Sequence, residues 1–370
     1  MIESLTKQHE LKSIGKLGMH TNIERNHWLD SLRGVAAMWV VLHHLNLGKF
    51  GSTEANFYTS FVEVGWLGVP IFFILSGYCI GMVTEKVLSI REFLLRRFFR
   101  IFPPYYASIA VVLLVITIRI IDIGSNDVAV LPTTLKELAA TFTLMTMPAT
   151  EVETINGVYW SLTYEVVFYL IVALVLKAKS HDSLVYLSLT LVCFVPGLYE
   201  SVGSDRGGAV EGIFFLKEWF LFATGLGLYQ FTKHNSKVTG ALFLLNFIGI
   251  VYTKDVLVTL VSIFTLGSIY LSQLSFLNTK NYLSNIGKYS YSLYLIHVPI
   301  GNHLLLQYRK GLLFDNLYLH ILYDVTVLSI LIGLSYLFYE SIEKPSISFG
   351  KAFIKKNSRL TKTIAYGKVR

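Results

Sequence analysis

The chain has 370 residues, 53% of them hydrophobic and only 15% charged, with a formal net charge of +8. An ordinary soluble domain carries about 25% charged residues, so the polar surface here is too small to cover the apolar mass. Disorder, collagen and a disulfide-rich scaffold fall to the same figures.

Spanning helices need about 20 mostly apolar residues, and such runs are predicted over 29–48, 61–83, 101–121, 157–176, 184–200, 213–231, 239–253, 255–276, 286–307 and 317–339. The reading is an all-α, polytopic transmembrane bundle of about ten helices. The run 239–253 is short, so a tight pair over 239–276, or nine helices, stays open. Lys and Arg crowd the segment between the second and third helices and the end of the chain, which predicts that both termini are cytoplasmic. Residues 1–28 are polar, without the apolar core of a signal peptide. They are read as a cytoplasmic segment, 29–345 as the transmembrane domain and 346–370 as a basic cytoplasmic tail drawn to anionic membrane lipid. The cysteines Cys79 and Cys193 lie in apolar runs and read as packing residues. No nucleic-acid module is visible, and no metal is expected.

Ionisable groups inside spans are expensive and point to function by default. In the first helix, Arg33 and His44 are eleven positions apart, about 20° from alignment and about 16 Å along the axis. Asp30, three residues before Arg33, is placed to pair with it. His43 points about 100° away and reads as structural. In the second helix Ser76-Gly77 favours close backbone approach, with cofactor contact as the second reading.

Arg97 and Arg100 sit at i, i+3 just before Pro103. Two guanidiniums there suit a phosphate-bearing ligand, although positive-inside charge alone also accounts for them. The apolar stretch 138–148 is too short to span and is expected at the interface or re-entering. In the fourth helix Glu165 lies about 12 Å in from Gly157, with Ser161 and Tyr169 on its face. Trp160 suits an aromatic belt. Glu165 needs a partner from elsewhere, His44 or Arg33, so an ion pair and a catalytic role both remain open. In the ninth helix Ser290, Tyr294 and His297 form a polar stripe, loosened by Pro299. Glu343-Lys344-Pro345 is expected to close the last helix as a structural latch.

Taken in order, LDSLRGVAAMWVVLHH, FFILSGY, RRFFRIFPPYY, YWSLTYEVVFY, SYSLYLIHVP and the closing EKP resemble the acyltransferase 3 family over roughly residues 28 to 345. The most specific parts are the arginine–ten residues–histidine spacing, the paired arginines and the WSLxxE string. SGY, where the commoner form ends in Phe, departs mildly. The resemblance implies a membrane O-acyltransferase that moves acetyl or another short acyl group from acyl-CoA, acetyl-CoA above all, onto a hydroxyl of a cell-surface carbohydrate. The acceptor would be a lipid-linked or surface polysaccharide or lipopolysaccharide. Carried over by motif, Arg33 and His44 match the catalytic pair and Arg97 and Arg100 the donor-binding arginines. Glu165 and His297 match recurring intramembrane polar residues. A bacterial inner membrane is the implied location. Some members add an extracytoplasmic hydrolase-like domain. This chain ends in a short basic tail, so direct transfer or a separate periplasmic partner is expected.

The chemistry of the residues agrees with acyl transfer. Histidine is the side chain whose unperturbed pKa lies near neutrality, so His44 reads as general base or transient acyl carrier. Glu165 would orient it, and Arg33 would bind the donor or a developing oxyanion. A transporter lined by the same Arg, His and Glu is the alternative, and a lipid-linked glycosyltransferase a more distant one.

Overall fold

The computed structural model describes residues 25–47, 56–85, 89–124, 129–177, 214–274, 278–305 and 316–367. The predicted helix 184–200 and Cys193 lie outside the described residues, as do positions 1–24 of the N-terminal segment. Every element among the described residues is helical. The order is α1 (His27–Leu45), α2 (Phe57–Glu63), a short 3₁₀ turn, α3 (Gly68–Thr84), α4 (Ile90–Ile123) and α5 (Leu135–Thr143). There follow α6 (Trp160–Lys177), α7 (Leu216–His234), α8 (Lys237–Thr253), α9 (Val256–Leu271), α10 (Tyr282–Lys288) and α11 (Ser290–Ile296). A π-helical segment (His297–Leu305) then precedes α12 (Leu317–Phe338), a second π turn (Tyr339–Glu343) and α13 (Lys344–Gly367).

Among the described residues, four helical stretches are long and apolar enough to cross a membrane: Phe57–Thr84, Ile90–Asp122, Gly157–Leu174 and Leu317–Asn357. α8 and α9 are shorter apolar helices. Asn26, Ser89, Ser236, Asp255, Asn281 and Asn316 cap their helices by accepting amide hydrogens that have no partner inside the first turn. α3 and α7 touch at Gly77 and Gly225, where a Cβ would strike the carbonyls of Phe222 and Ile74. The packing reading of Ser76-Gly77 therefore holds.

Three extents differ from expectation. α4 begins at Ile90, eleven residues before the predicted start, because Ser89 caps it and Arg96 bonds Glu92 one turn back. The arginines therefore lie inside the helix, and Pro103 and Pro104 lie well past its first turn. The predicted ninth helix is divided: Tyr289 leaves helical geometry, and the segment holding Pro299, which has no amide hydrogen to give, winds as a π helix.

The third difference is a correction. Glu343-Lys344-Pro345 does not close the last helix, and the tail is not a simple extension. The helix runs on without a break from Leu317 to Asn357 through the π turn at Tyr339–Glu343, so Pro345 lies within it directly after that turn. α13 then packs back on α4, with the Phe349 ring 5.5 Å from that of Phe99.

α5 falls in the stretch expected at the interface or re-entering. The carbonyls at its end are answered by side chains: Tyr105 OH donates to Thr141 O (2.8 Å), Tyr106 OH to Phe142 O (2.9 Å) and Thr163 Oγ1 to Leu144 O (3.0 Å). Non-helical backbone buried among spans is tolerated on that condition.

Candidate active site

α1, α3, α4, α6 and α11 enclose a cavity of about 80 Å³. Arg33 enters it from α1, Ser76 from α3, Arg97 and Arg100 from α4, Ser161 and Glu165 from α6, and Ser290 and Tyr294 from α11. Runs of apolar sequence thus supply one or more polar side chains each to a common interior, as buried charge in a bundle requires.

The pairings inside differ from those the sequence suggested. Asp30 pairs with Arg25, not with Arg33; Arg25 lies just outside the helix, while Arg33 turns toward α3. Arg33 Nη2 lies 3.5 Å from Cys79 Sγ, so Cys79 is a cavity residue as well as packing. Glu165 Oε1 accepts from Ser76 Oγ (3.3 Å) and from Tyr169 OH. Its hydrogen-bond partners are therefore hydroxyls, not His44 or Arg33. The Arg97 guanidinium lies over the Tyr169 ring at 5.4 Å and the Phe93 ring at 6.0 Å, and its buried Nε finds no acceptor among the described residues. Trp160 packs against Phe73 and Tyr164.

Glu343, read from the sequence as part of a structural latch, borders this region through Arg100. Fully buried, it accepts from Ser292 Oγ (2.6 Å) and lies 3.9 Å from Arg100 Nη1.

A second cavity, of about 340 Å³, lies between α4 and α13. Arg96, Arg97, Arg100 and Lys351 line it, so Arg97 and Arg100 are walls of both spaces. Arg96 is engaged by Glu92 at 2.6 Å. Sequence reasoning missed Lys351 because it stood in a segment read as tail. Its spacing from Ile347 and Gly350, at i, i+3 and i+4 on one helix face, was the available signal.

His44 does not line the central cavity. The one-face argument for Arg33 and His44 fixes direction around the helix and not depth, and about 16 Å further along the axis His44 falls outside the lining. His44 packs instead edge-on against His297, ring centroids 4.9 Å apart. Its Nδ1 is 2.8 Å from Val40 O. A carbonyl only accepts, so Nδ1 carries the hydrogen and Nε2 of the neutral ring holds the lone pair. Asn302 Nδ2 donates to His44 O, and His43 Nδ1 to Val62 O at 3.0 Å. Tyr294 stands between the histidines and the cavity: its hydroxyl meets Ser161 Oγ at 2.7 Å, and its ring lies 5.7 Å from that of His297.

Comparison with known proteins bears on what this arrangement does. A family model described as an acyltransferase domain matches residues 26–340. The peptidoglycan O-acetyltransferase OatA of Listeria monocytogenes is 34% identical over 92 residues, 23% of this chain and 13% of that protein. The putative acetyltransferase ORF330 of Acidianus two-tailed virus is 24% identical over 243 residues, 64% of this chain and 68% of that protein. The match therefore spans only a small part of OatA and about two thirds of ORF330. No solved structure matches.

Proposed function

The chain belongs to the acyltransferase 3 family, and on that premise we propose that it is a multi-pass membrane O-acetyltransferase. It moves an acetyl or other short acyl group from acyl-CoA to a hydroxyl of a cell-surface carbohydrate. The observation that carries this reading is the sharing of Arg97 and Arg100 between the basic cavity beside Lys351 and the polar cavity holding Arg33 and Glu165. Family membership favours it over transport through the same charges.

The donor set fits a phosphorylated thioester. Arginine grips phosphate in a fork, and Arg97 keeps a buried N–H without an acceptor. Arg97, Arg100 and Lys351 would hold the phosphates, with Ser76 and Arg33 further in. Bound acyl-CoA supplies the acyl group in activated form. Arg33, about 16 Å along α1 from His44, binds the donor on its way to that histidine. Ser76 and Tyr169 are held by Glu165, which keeps a fixed carboxylate beside the arginines. His44 presents a bare Nε2 as general base toward the acceptor hydroxyl.

The basic α13 and the start of α4 then face the cytosol, with both termini there, in a bacterial inner membrane. A lipid-linked or surface polysaccharide is the acceptor, and a separate periplasmic partner assists where direct transfer does not suffice. Mass spectrometry of surface glycans from cells with and without the protein tests the reading. Acetylation lost on deletion, restored by the gene and not by His44→Ala, supports it; an unchanged acetylation pattern overturns it.

A further inference from the structure

The two cavities that meet at Arg97 and Arg100 are unequal: about 80 Å³ on the side of Arg33 and Glu165, about 340 Å³ between α4 and α13. A CoA thioester has its groups in a fixed covalent order: acyl group, pantetheine, pyrophosphate, then a ribose bearing adenine and a 3′-phosphate. With the acyl end directed past Arg33, the wider cavity is left for the nucleotide. The pyrophosphate then falls at the wall both spaces share. The 3′-phosphate lies beyond that wall, on the side of α13.

Among the described residues, four cations line the wider cavity, and they are not equivalent. Arg97 and Arg100 form the shared wall. Arg96 holds Glu92 Oε1 through Nε at 2.9 Å and Nη2 at 2.6 Å, so its charge is already answered. Lys351 comes from the opposite helix, is exposed, and its ammonium has no carboxylate or hydrogen-bond partner among the described residues. Packing fixes its backbone: a Cβ on Gly350 would lie 2.7 Å from the Cβ of Phe99, and Ser346 donates to the Phe99 carbonyl. The chemistry divides the same way. A phosphate monoester carries about −1.5 to −2 charges at neutral pH, a compact load suited to an ammonium with three rotatable donors. The planar fork of a guanidinium suits paired oxygens of a diphosphate.

We propose that Lys351 binds the 3′-phosphate of the donor and makes the protein select CoA thioesters over thioesters that lack this group. The inference rests on the acyl-transfer reading above and deepens it: Arg97 and Arg100 take the pyrophosphate, Lys351 the monoester. Acyl groups carried on protein-bound phosphopantetheine, which has no ribose 3′-phosphate, are then poor donors.

The test is calorimetric titration of CoA and of 3′-dephospho-CoA into the full chain in lipid nanodiscs at one fixed salt concentration. The native protein should bind CoA about tenfold more tightly than the dephospho form. Lys351→Gln, at an exposed position, should bring the two affinities within about twofold while leaving that for dephospho-CoA unchanged. Lys351→Arg should keep most of the preference, and Arg97→Ala should weaken both ligands by a similar factor and leave their ratio intact. A native ratio near unity overturns the proposal. So does a Lys351→Gln variant that loses both affinities equally, and so does a preference that survives Lys351→Gln but collapses in Arg96→Gln. If the native protein transfers acetyl from acetyl-CoA yet binds both ligands equally, the Lys351 assignment alone falls; if it binds neither, the CoA-donor reading falls with it.

Discussion

Ser346 donates its hydroxyl hydrogen to the carbonyl of Phe99 at 2.6 Å. That carbonyl is the one Pro103, four residues on and without an amide hydrogen, leaves unanswered in α4. A defect written into one helix is repaired by another some 250 positions away, and the repair brings Lys351 to the wall of the basic cavity.

Removing that hydroxyl should loosen α13. Ser346→Ala forfeits about 1 kcal/mol of docking and reopens the orphaned carbonyl. Amide exchange along Ser346–Phe353 should quicken while α4 beyond Pro104 stays protected. Unchanged exchange over α13 would mean that Phe99, Phe349 and Phe353 hold it unaided.

Glu343 and Arg100 should behave as a coupled pair. Glu343→Ala leaves a guanidinium without its carboxylate and Ser292 without its acceptor. A loss of about 3 kcal/mol is expected, read as a lowered melting temperature in detergent. Arg100→Ala in the same chain should recover part of it, because the uncompensated charge is gone. Strictly additive losses would show that the two do not interact.

How far the sequence foretold this site depends on which interaction places each residue. Arg33, Arg97, Arg100, Ser161, Glu165 and Tyr294 were legible because a polar group in an apolar run must face inward, and the cavity holds them all. Four of the predicted spans, those matching Phe57–Thr84, Ile90–Asp122, Gly157–Leu174 and Leu317–Asn357, were legible from length and hydropathy. Lys351 and Glu343 were not, since they reach the site through a helix that runs on past Pro345, where local rules predict an end. The partner of Asp30 was decided by Arg25, a residue outside the helical pattern. Helical periodicity gave the face of His44 but said nothing of depth, and depth puts it beside His297.

The fork geometry of Arg97 should matter beyond its charge. Arg97→Lys keeps the positive charge but loses the bidentate grip and the stacking on Tyr169. Binding of desulfo-CoA should weaken about tenfold in Arg97→Ala and nearly as much in Arg97→Lys. Arg96, already held by Glu92, should tolerate alanine with a much smaller change. Full rescue by lysine would reduce Arg97 to a point charge.

α5 should respond to acid through its own cap. The amides of Thr133 and Thr134 and the Thr133 hydroxyl donate to Glu137, holding its carboxyl below the ordinary glutamate range. With the folded pKa depressed, the stabilisation is complete above the unfolded value of about 4.3 and is lost as pH falls through the folded one. Carboxyl ¹³C and Thr134 amide shifts should move together below that value. A Glu137 that titrates at or above the ordinary range would remove the capping box from the account.

Tyr294 is the partition between the two halves of the site, and its variants should separate structure from passage. Its hydroxyl bonds Ser161 on the cavity side, and its ring meets His297 on the other. Tyr294→Phe keeps the ring and loses the hydroxyl's bonds to Ser161 and to the Val158 carbonyl, so folding should persist and the rate at saturating donor should fall about tenfold. Tyr294→Ala also opens the path between cavity and imidazoles, admitting water to a bond-making site that needs it excluded. Hydrolysis of acetyl-CoA without acceptor should therefore rise in the alanine variant and not in the phenylalanine one. If neither variant alters the balance of hydrolysis and transfer, His44 receives its substrate by a route that does not pass Tyr294.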